Sequence, residues 1–122
     1  MKINTKATNL ELTPAIQDYA EKKVQSLEKF LQPDGENVLA AIEIGVTTHH
    51  HKSGDIFRAE LNLSNIATGE QFYAEAEKDD LYAAIDEMKD KAERECLTLK
   101  KKKLTLIKRG AARIKGILRS RG

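Results

Sequence analysis

The sequence predicts an α+β domain in the order β-α-β-β-β-α: a four-stranded, antiparallel-rich sheet with two helices packed on one face. Two periodicities carry this expectation. Four segments alternate apolar and polar residues, the pattern of strands with one buried face. Two longer segments repeat apolar residues at three- and four-residue steps, the pattern of amphipathic helices. At 122 residues the chain is long enough for one core and too short for two.

Each element has its own signal. Residues 2–8 set Ile3, Thr5 and Ala7 against Lys2, Asn4 and Lys6. Thr13-Pro14 reads as an N-cap followed by proline at the first helical position, where a missing N–H costs nothing. Ile16, Ala20, Val24, Leu27 and Leu31 then form one stripe, so the first helix is expected over 14–31, stopped by Pro33-Asp34-Gly35. Strands are expected over 38–48, 56–63 and 70–77. Their apolar sets are Val38, Ala40, Ile42, Ile44 and Val46; Phe57, Ala59, Leu61 and Leu63; and Phe72, Ala74 and Ala76. Ser53-Gly54 and Thr68-Gly69 supply the hairpin turns. Asp79 or Asp80 caps a second helix, whose buried stripe is Leu81, Ile85, Met88, Ala92, Cys96 and Leu99.

Composition narrows the function. About 40% apolar and 33% charged residues suit a soluble globular protein, with three Phe, three Tyr and no Trp. So few rings argue against RNA recognition by base stacking and leave phosphates and shape as the expected targets. No apolar run approaches the roughly 20 residues of a membrane span, and the polar start MKINTKATN does not read as a signal peptide, so a cytoplasmic location is expected. Cys96 is alone, which excludes an internal disulfide and fits a core thiol. No nucleophile–base pair and no glycine-rich phosphate loop is visible, so no enzyme, cofactor or small-molecule substrate is expected. His49, His50 and His51 are consecutive in a predicted loop. Adjacent residues of an extended chain point to opposite faces, so a shared metal is not expected. The loop reads as solvated or, alternatively, as pH-sensitive or phosphate-touching.

Charge is more informative than composition. Residues 1–95 carry 11 Lys/Arg against 19 Asp/Glu, a balance of −8, whereas residues 96–122 carry 10 Lys/Arg and no acid, a balance of +10. This asymmetry points to a polyanion, either nucleic acid or an anionic membrane surface, with a solubilising tail as the plainer reading. On a helical projection, Lys91, Arg94, Lys101 and Lys102 share one flank of the second helix, and Asp86, Asp90 and Glu93 lie opposite. Lys22 and Lys29 separate similarly from Asp18, Glu21 and Glu28 on the first helix. Glu87 and Glu95 interrupt the basic flank, which the run from Lys100 to Lys103 prolongs. Four adjacent ammonium groups repel one another alone but become favourable beside phosphates that release counterions. A division is expected between a domain over residues 1–104 and a basic tail over 105–122. The tail carries Lys108 and Arg109, and Gly110 and Gly116 weaken its helicity, so it is expected to order on binding.

The segments HHHKSGDIFRAELNL (residues 49–63) and DLYAAIDEMKDKAERE (residues 80–95) resemble the ribosome hibernation-promoting factors and ribosome-associated inhibitor proteins, also called sigma-54 modulation proteins. The resemblance covers roughly residues 1–104. It implies a cytoplasmic stress or stationary-phase protein that binds small-subunit rRNA in the mRNA/tRNA channel and blocks the A and P sites by occupancy, with no cofactor. Lys91 and Arg94 match the family's DK and ER positions. Lys23 fills the first of two lysine positions on the first helix, whereas Ser26 stands at the second, leaving Lys22 and Lys29 as substitutes. The rRNA-binding set expected from flank, run and resemblance together is Lys22, Lys23, Lys29, Lys91, Arg94, Lys100, Lys101, Lys102, Lys103, Lys108 and Arg109. Long members carry a further domain that joins two ribosomes. The 18 residues after 104 are too few for it, so a short form is expected. Two alternatives are a general double-stranded RNA binder and a membrane-surface protein anchored by its basic tail.

Overall fold

A computed structural model describes residues 1–32, 35–48 and 54–121, with side chains described, Thr48 apart, as far as Lys102. The elements are β1 (Lys2–Thr8), α1 (Pro14–Gln25), β2 (Val38–Thr48), β3 (Asp55–Asn65), β4 (Gln71–Lys78) and α2 (Leu81–Arg121), with short 3-10 turns at Glu28–Phe30 and Gly35–Asn37. The predicted order β-α-β-β-β-α is observed.

The strands lie in the order β1-β2-β3-β4. β2 pairs antiparallel with β3, and β3 with β4. The expected Ser53-Gly54 turn includes Ser53, which lies outside the described residues. Between β3 and β4 Asn65 Oδ1 accepts the N–H groups of Ala67 (3.0 Å) and Thr68 (3.3 Å), and Gly69 takes φ +78°, a conformation glycine adopts without steric cost. β1 and β2 pair parallel, with Lys2 opposite Leu39 and Thr8 opposite Gly45. α1 lies between them in the chain, and such a crossover returns the chain in the same direction. The sheet is therefore mixed, with one parallel pair at its β1 edge.

α1 begins as expected. Thr13 Oγ1 accepts the Ile16 N–H at 3.2 Å, a cap that contributes about 1 kcal/mol. It ends at Gln25, short of the expected residue 31. From there the hydrogen bonds tighten to three-residue steps: Leu27 N–H to the Val24 carbonyl (3.0 Å) and Phe30 N–H to that of Leu27 (3.0 Å). Ser26 Oγ donates to the Lys23 carbonyl at 2.6 Å, the backbone competition that makes serine a helix-end residue. Leu27 still reaches the core and is fully buried.

α2 starts at the predicted cap, where Asp80 Oδ2 accepts the Ala83 N–H at 2.9 Å. Leu81, Ile85, Met88, Ala92 and Cys96 are buried as predicted, and Leu99 is half-buried. They pack on Ala40, Ile42, Ile44, Ala59, Leu61, Leu63, Ala74 and Ala76 from the inner face of the sheet. Each large aliphatic side chain in this layer contributes roughly 1.5–3 kcal/mol by leaving water. No polar or charged residue is buried among the described residues. The backbone of residues 105–121 continues α2, and the 41-residue helix is about 60 Å long at a rise of 1.5 Å per residue.

Candidate nucleic-acid interface

The expected cations differ in what already neutralises them. Lys91 projects from α2 towards β4, where its Nζ donates to the Glu75 carbonyl at 3.0 Å. Arg94, one turn on, donates from Nε to the Asp90 carbonyl at 3.3 Å. Both are exposed, and neither forms an ion pair at contact distance among the described residues. Backbone carbonyls fix the two side chains outside any contact ion pair, with the Glu75 carboxylate near enough to Lys91 to feel its charge. Lys100, Lys101 and Lys102 continue exposed along α2. Lys29 lies over the Phe30 ring, 5.0 Å from its centroid, and forms no contact ion pair among the described residues.

The lysines of α1 are engaged. Lys22 lies 3.8 Å from Asp18 in a highly exposed pair that contributes little to stability. Lys23 Nζ is 3.3 Å from Asp86 Oδ1 on α2 and 5.4 Å from the Tyr19 ring centroid. The Tyr19 hydroxyl donates to the same Asp86 oxygen at 2.6 Å, and its ring meets Tyr82 edge-on at 4.8 Å. The hydrogen bond with Asp86, followed by the charge of Asp86, holds the Lys23 ammonium above its ordinary pKa. The same hydrogen bond, followed by desolvation, raises that of the Tyr19 phenol. This cluster clamps α1 to α2 and commits Lys23 to an internal carboxylate. Flank patterning did not reveal it, because Lys23 and Asp86 are far apart in sequence.

The open face of the sheet has the opposite sign. Register places Lys6, Glu43, Glu60 and Glu75 in one row across the four strands, with three carboxylates side by side. Like charges directly opposite each other destabilise a sheet. Here Arg58 compensates: its Nε lies 2.7 Å from Glu60 Oε1, and its terminal amine donates to Glu75 and to the Tyr73 hydroxyl (3.4 Å). Thr8 Oγ1 donates to Glu43 at 3.0 Å. Hydrogen bonds from Tyr73 and then Arg58 hold the Glu75 carboxyl below the usual carboxylate range. A depressed folded-state pKa stabilises the fold above the ordinary carboxylate value, and that contribution is lost as pH falls through the depressed one. Carboxylates therefore concentrate on the sheet face, while Lys91 and Arg94 lie on the α2 flank.

Between flank and sheet runs a groove of about 490 Å³, lined by Tyr73, Ala74 and Glu75 of β4 and by Lys91, Arg94 and Glu95 of α2. It continues past Arg94 to Phe72, Thr98, Leu99 and Lys102. Tyr73 was not among the sequence candidates. Its alternation marked the outer face of a strand, but nothing local showed that β4 is the edge beside α2. Lys103, Lys108 and Arg109 have side chains outside those described, and His49, His50, His51, Pro33 and Asp34 lie outside the described residues.

Cys96 is 2% exposed, and burial, followed by the charges of Glu95 and Glu93, pushes its thiol up to about 11. Since the thiolate is the reactive form, iodoacetamide at pH 8 is expected to label native Cys96 at least about 100-fold more slowly than the unfolded chain. Equal rates, followed by mass spectrometry, would contradict this burial. No group of three or more His, Cys, Asp or Glu among the described residues is arranged to hold a metal. No helix among them is long and apolar enough to cross a membrane.

A family model described as sigma 54 modulation protein / S30EA ribosomal protein matches residues 3–104. The chain is 35% identical over 104 residues to a ribosome hibernation promoting factor of Klebsiella oxytoca, covering 85% of this chain and 97% of that protein. It is 30% identical over 104 residues to one from Azotobacter vinelandii, covering 85% and 87%. Among solved structures, the N-terminal domain of Thermus thermophilus Protein Y superposes with a TM-score of 0.65 at 32% identity, covering 79% of this chain and 96% of that one.

Proposed function

The chain belongs to the sigma 54 modulation protein / S30EA ribosomal protein family, and from that premise we propose that it is a ribosome-associated hibernation factor that docks on small-subunit rRNA and holds translation off. In this reading it lies in the mRNA/tRNA channel of cytoplasmic ribosomes and excludes A- and P-site ligands during stress or stationary phase. Inhibition needs only occupancy, so no bond chemistry and no cofactor enters. The observation that carries the proposal is the pair Lys91 and Arg94, exposed and held by the carbonyls of Glu75 and Asp90 outside any contact ion pair among the described residues. Fixed cations of this kind meet phosphates without losing an internal partner, whereas Lys23 must first release Asp86.

The α2 flank is the principal contact in this proposal. Lys100, Lys101, Lys102 and Lys103 prolong it, and Lys29, Lys22 and Lys23 contribute from the other side. The domain over 1–104 forms the docking body, and the basic segment over 105–122, with Lys108 and Arg109, adds phosphate contacts beyond it. Cosedimentation with isolated small subunits tests the proposal. Binding is expected at low salt, is expected to fall with a log–log slope of about −0.7 to −0.9 per phosphate contacted, and to be prevented by bound mRNA and tRNA. A protein that stayed at the top of the gradient at low salt would refute ribosome docking. Displacement from subunits by free duplex RNA would show a general RNA binder instead.

A further inference from the structure

Tyr73 brings an aromatic face to the basic groove, although the scarcity of rings in the sequence argued against any stacking contact. Its side chain lies on the outer face of β4, opposite Asn62 of β3, and is 45% exposed. β4 is an edge strand, and the open groove beside it is lined by Tyr73 together with Lys91 and Arg94. The phenol is tethered: its hydroxyl donates to Glu75 Oε2 at 2.6 Å and accepts from Arg58 at 3.4 Å, while Arg58 also pairs with Glu75. A ring restrained in this way loses little further freedom when something stacks on it. Within that tether the Arg58 guanidinium offsets the charge of Glu75.

We propose that Tyr73, Lys91 and Arg94 form a subsite for one unstacked nucleotide of single-stranded RNA. The base lies on the Tyr73 ring, and the adjoining phosphate is held by the two cations. An exposed ring beside fixed positive charges is the arrangement by which proteins hold single strands without reading sequence. Phosphates alone would have no use for the ring. An acidic peptide would use the cations, but it would have to displace Lys91 from the Glu75 carbonyl to pair with the β4 edge. The proposal rests on the ribosome-docking reading for its biological target, but the subsite is tested independently of it.

The experiment measures fluorescence anisotropy of a labelled uridine octamer and of an abasic octamer of equal length, at low salt, with the full chain, Tyr73→Leu and Tyr73→Phe. The full chain is expected to favour the uridine probe by about tenfold, within the range of one base–aromatic stack, and Tyr73→Phe, which keeps the ring but loses its tether, by a smaller factor. Tyr73→Leu, which keeps an apolar strand residue, is expected to lose that preference while retaining binding to the abasic probe. Circular dichroism confirms that both variants fold. Equal binding of the two probes by the full chain, or an unchanged preference in Tyr73→Leu, overturns the subsite. So does Tyr73-dependent binding of an octaglutamate peptide without discrimination between the RNA probes. Cosedimentation in parallel separates the two readings. Loss of subunit binding by the full chain with the uridine preference intact refutes ribosome docking alone, and subunit binding without the preference refutes the subsite alone.

Discussion

Reversing both charges in Lys91→Glu/Arg94→Glu is expected to weaken binding to small ribosomal subunits by about 100- to 1,000-fold at physiological salt. Each residue offers a charge-assisted hydrogen bond to phosphate worth roughly 1.5–3 kcal/mol, and two such losses amount to roughly 3–4 kcal/mol even with partial compensation. Reversal also puts negative charge where the polyanion must lie. The fold should survive. Both side chains are exposed, and the bonds lost are those to the Glu75 and Asp90 carbonyls at the surface. The unfolding midpoint should therefore move by no more than a few degrees. Lys22→Glu is the matched control, because Lys22 already faces Asp18 in an exposed pair, and its effect should be several-fold at most. Titration of labelled protein with subunits, read beside thermal unfolding, checks the prediction. Wild-type affinity in the double variant would remove the α2 flank from the interface.

Leu61→Ala is expected to produce the largest loss of stability, about 2–5 kcal/mol. Leu61 lies mid-strand in β3, opposite Ile42 on β2 and Ala74 on β4, and is fully buried beneath the α2 layer. Its neighbours are anchored in sheet hydrogen bonds and cannot collapse into the void, so a cavity cost adds to the lost transfer energy. Domains of this class have only about 5–15 kcal/mol in total, so the midpoint should fall by roughly 6–30 °C. Leu99→Ala, at the half-buried end of the same stripe, should cost well under half as much. Urea titration with an unchanged m-value would establish that the difference lies in native packing. Equal losses at the two positions would mean that the core extends further along α2 than the burial shows.

The boundary of α1 shows where periodicity is a sufficient guide and where it is not. Ile16, Ala20, Val24 and Leu27 point inward as their spacing predicts, yet the helix gives way to a 3-10 turn after Gln25 because Ser26 bonds back to the Lys23 carbonyl. The stripe survived a change of helix type that its spacing did not signal. The basic flank shows the same division. Lys91 and Arg94 were legible as neighbours because one helical turn separates them. The difference between them and Lys23 was not, since Lys23 is neutralised by a residue on another helix.

The sequence alone therefore determined the number, kind and order of the elements, the inward residues of each, and the separation of an acidic body from a basic end. These follow from local rules, the two- and 3.6-residue repeats of strand and helix and the sum of charges along the chain. Tertiary structure alone decided that β1 pairs parallel with β2, that β4 is an open edge beside α2, and that Tyr73 lines one groove with Lys91 and Arg94. It also decided which cations are taken up in contact ion pairs, as Lys23 is by Asp86. Coulomb and hydrogen-bond energies depend on distances between atoms, and here folding sets those distances between residues far apart in the chain.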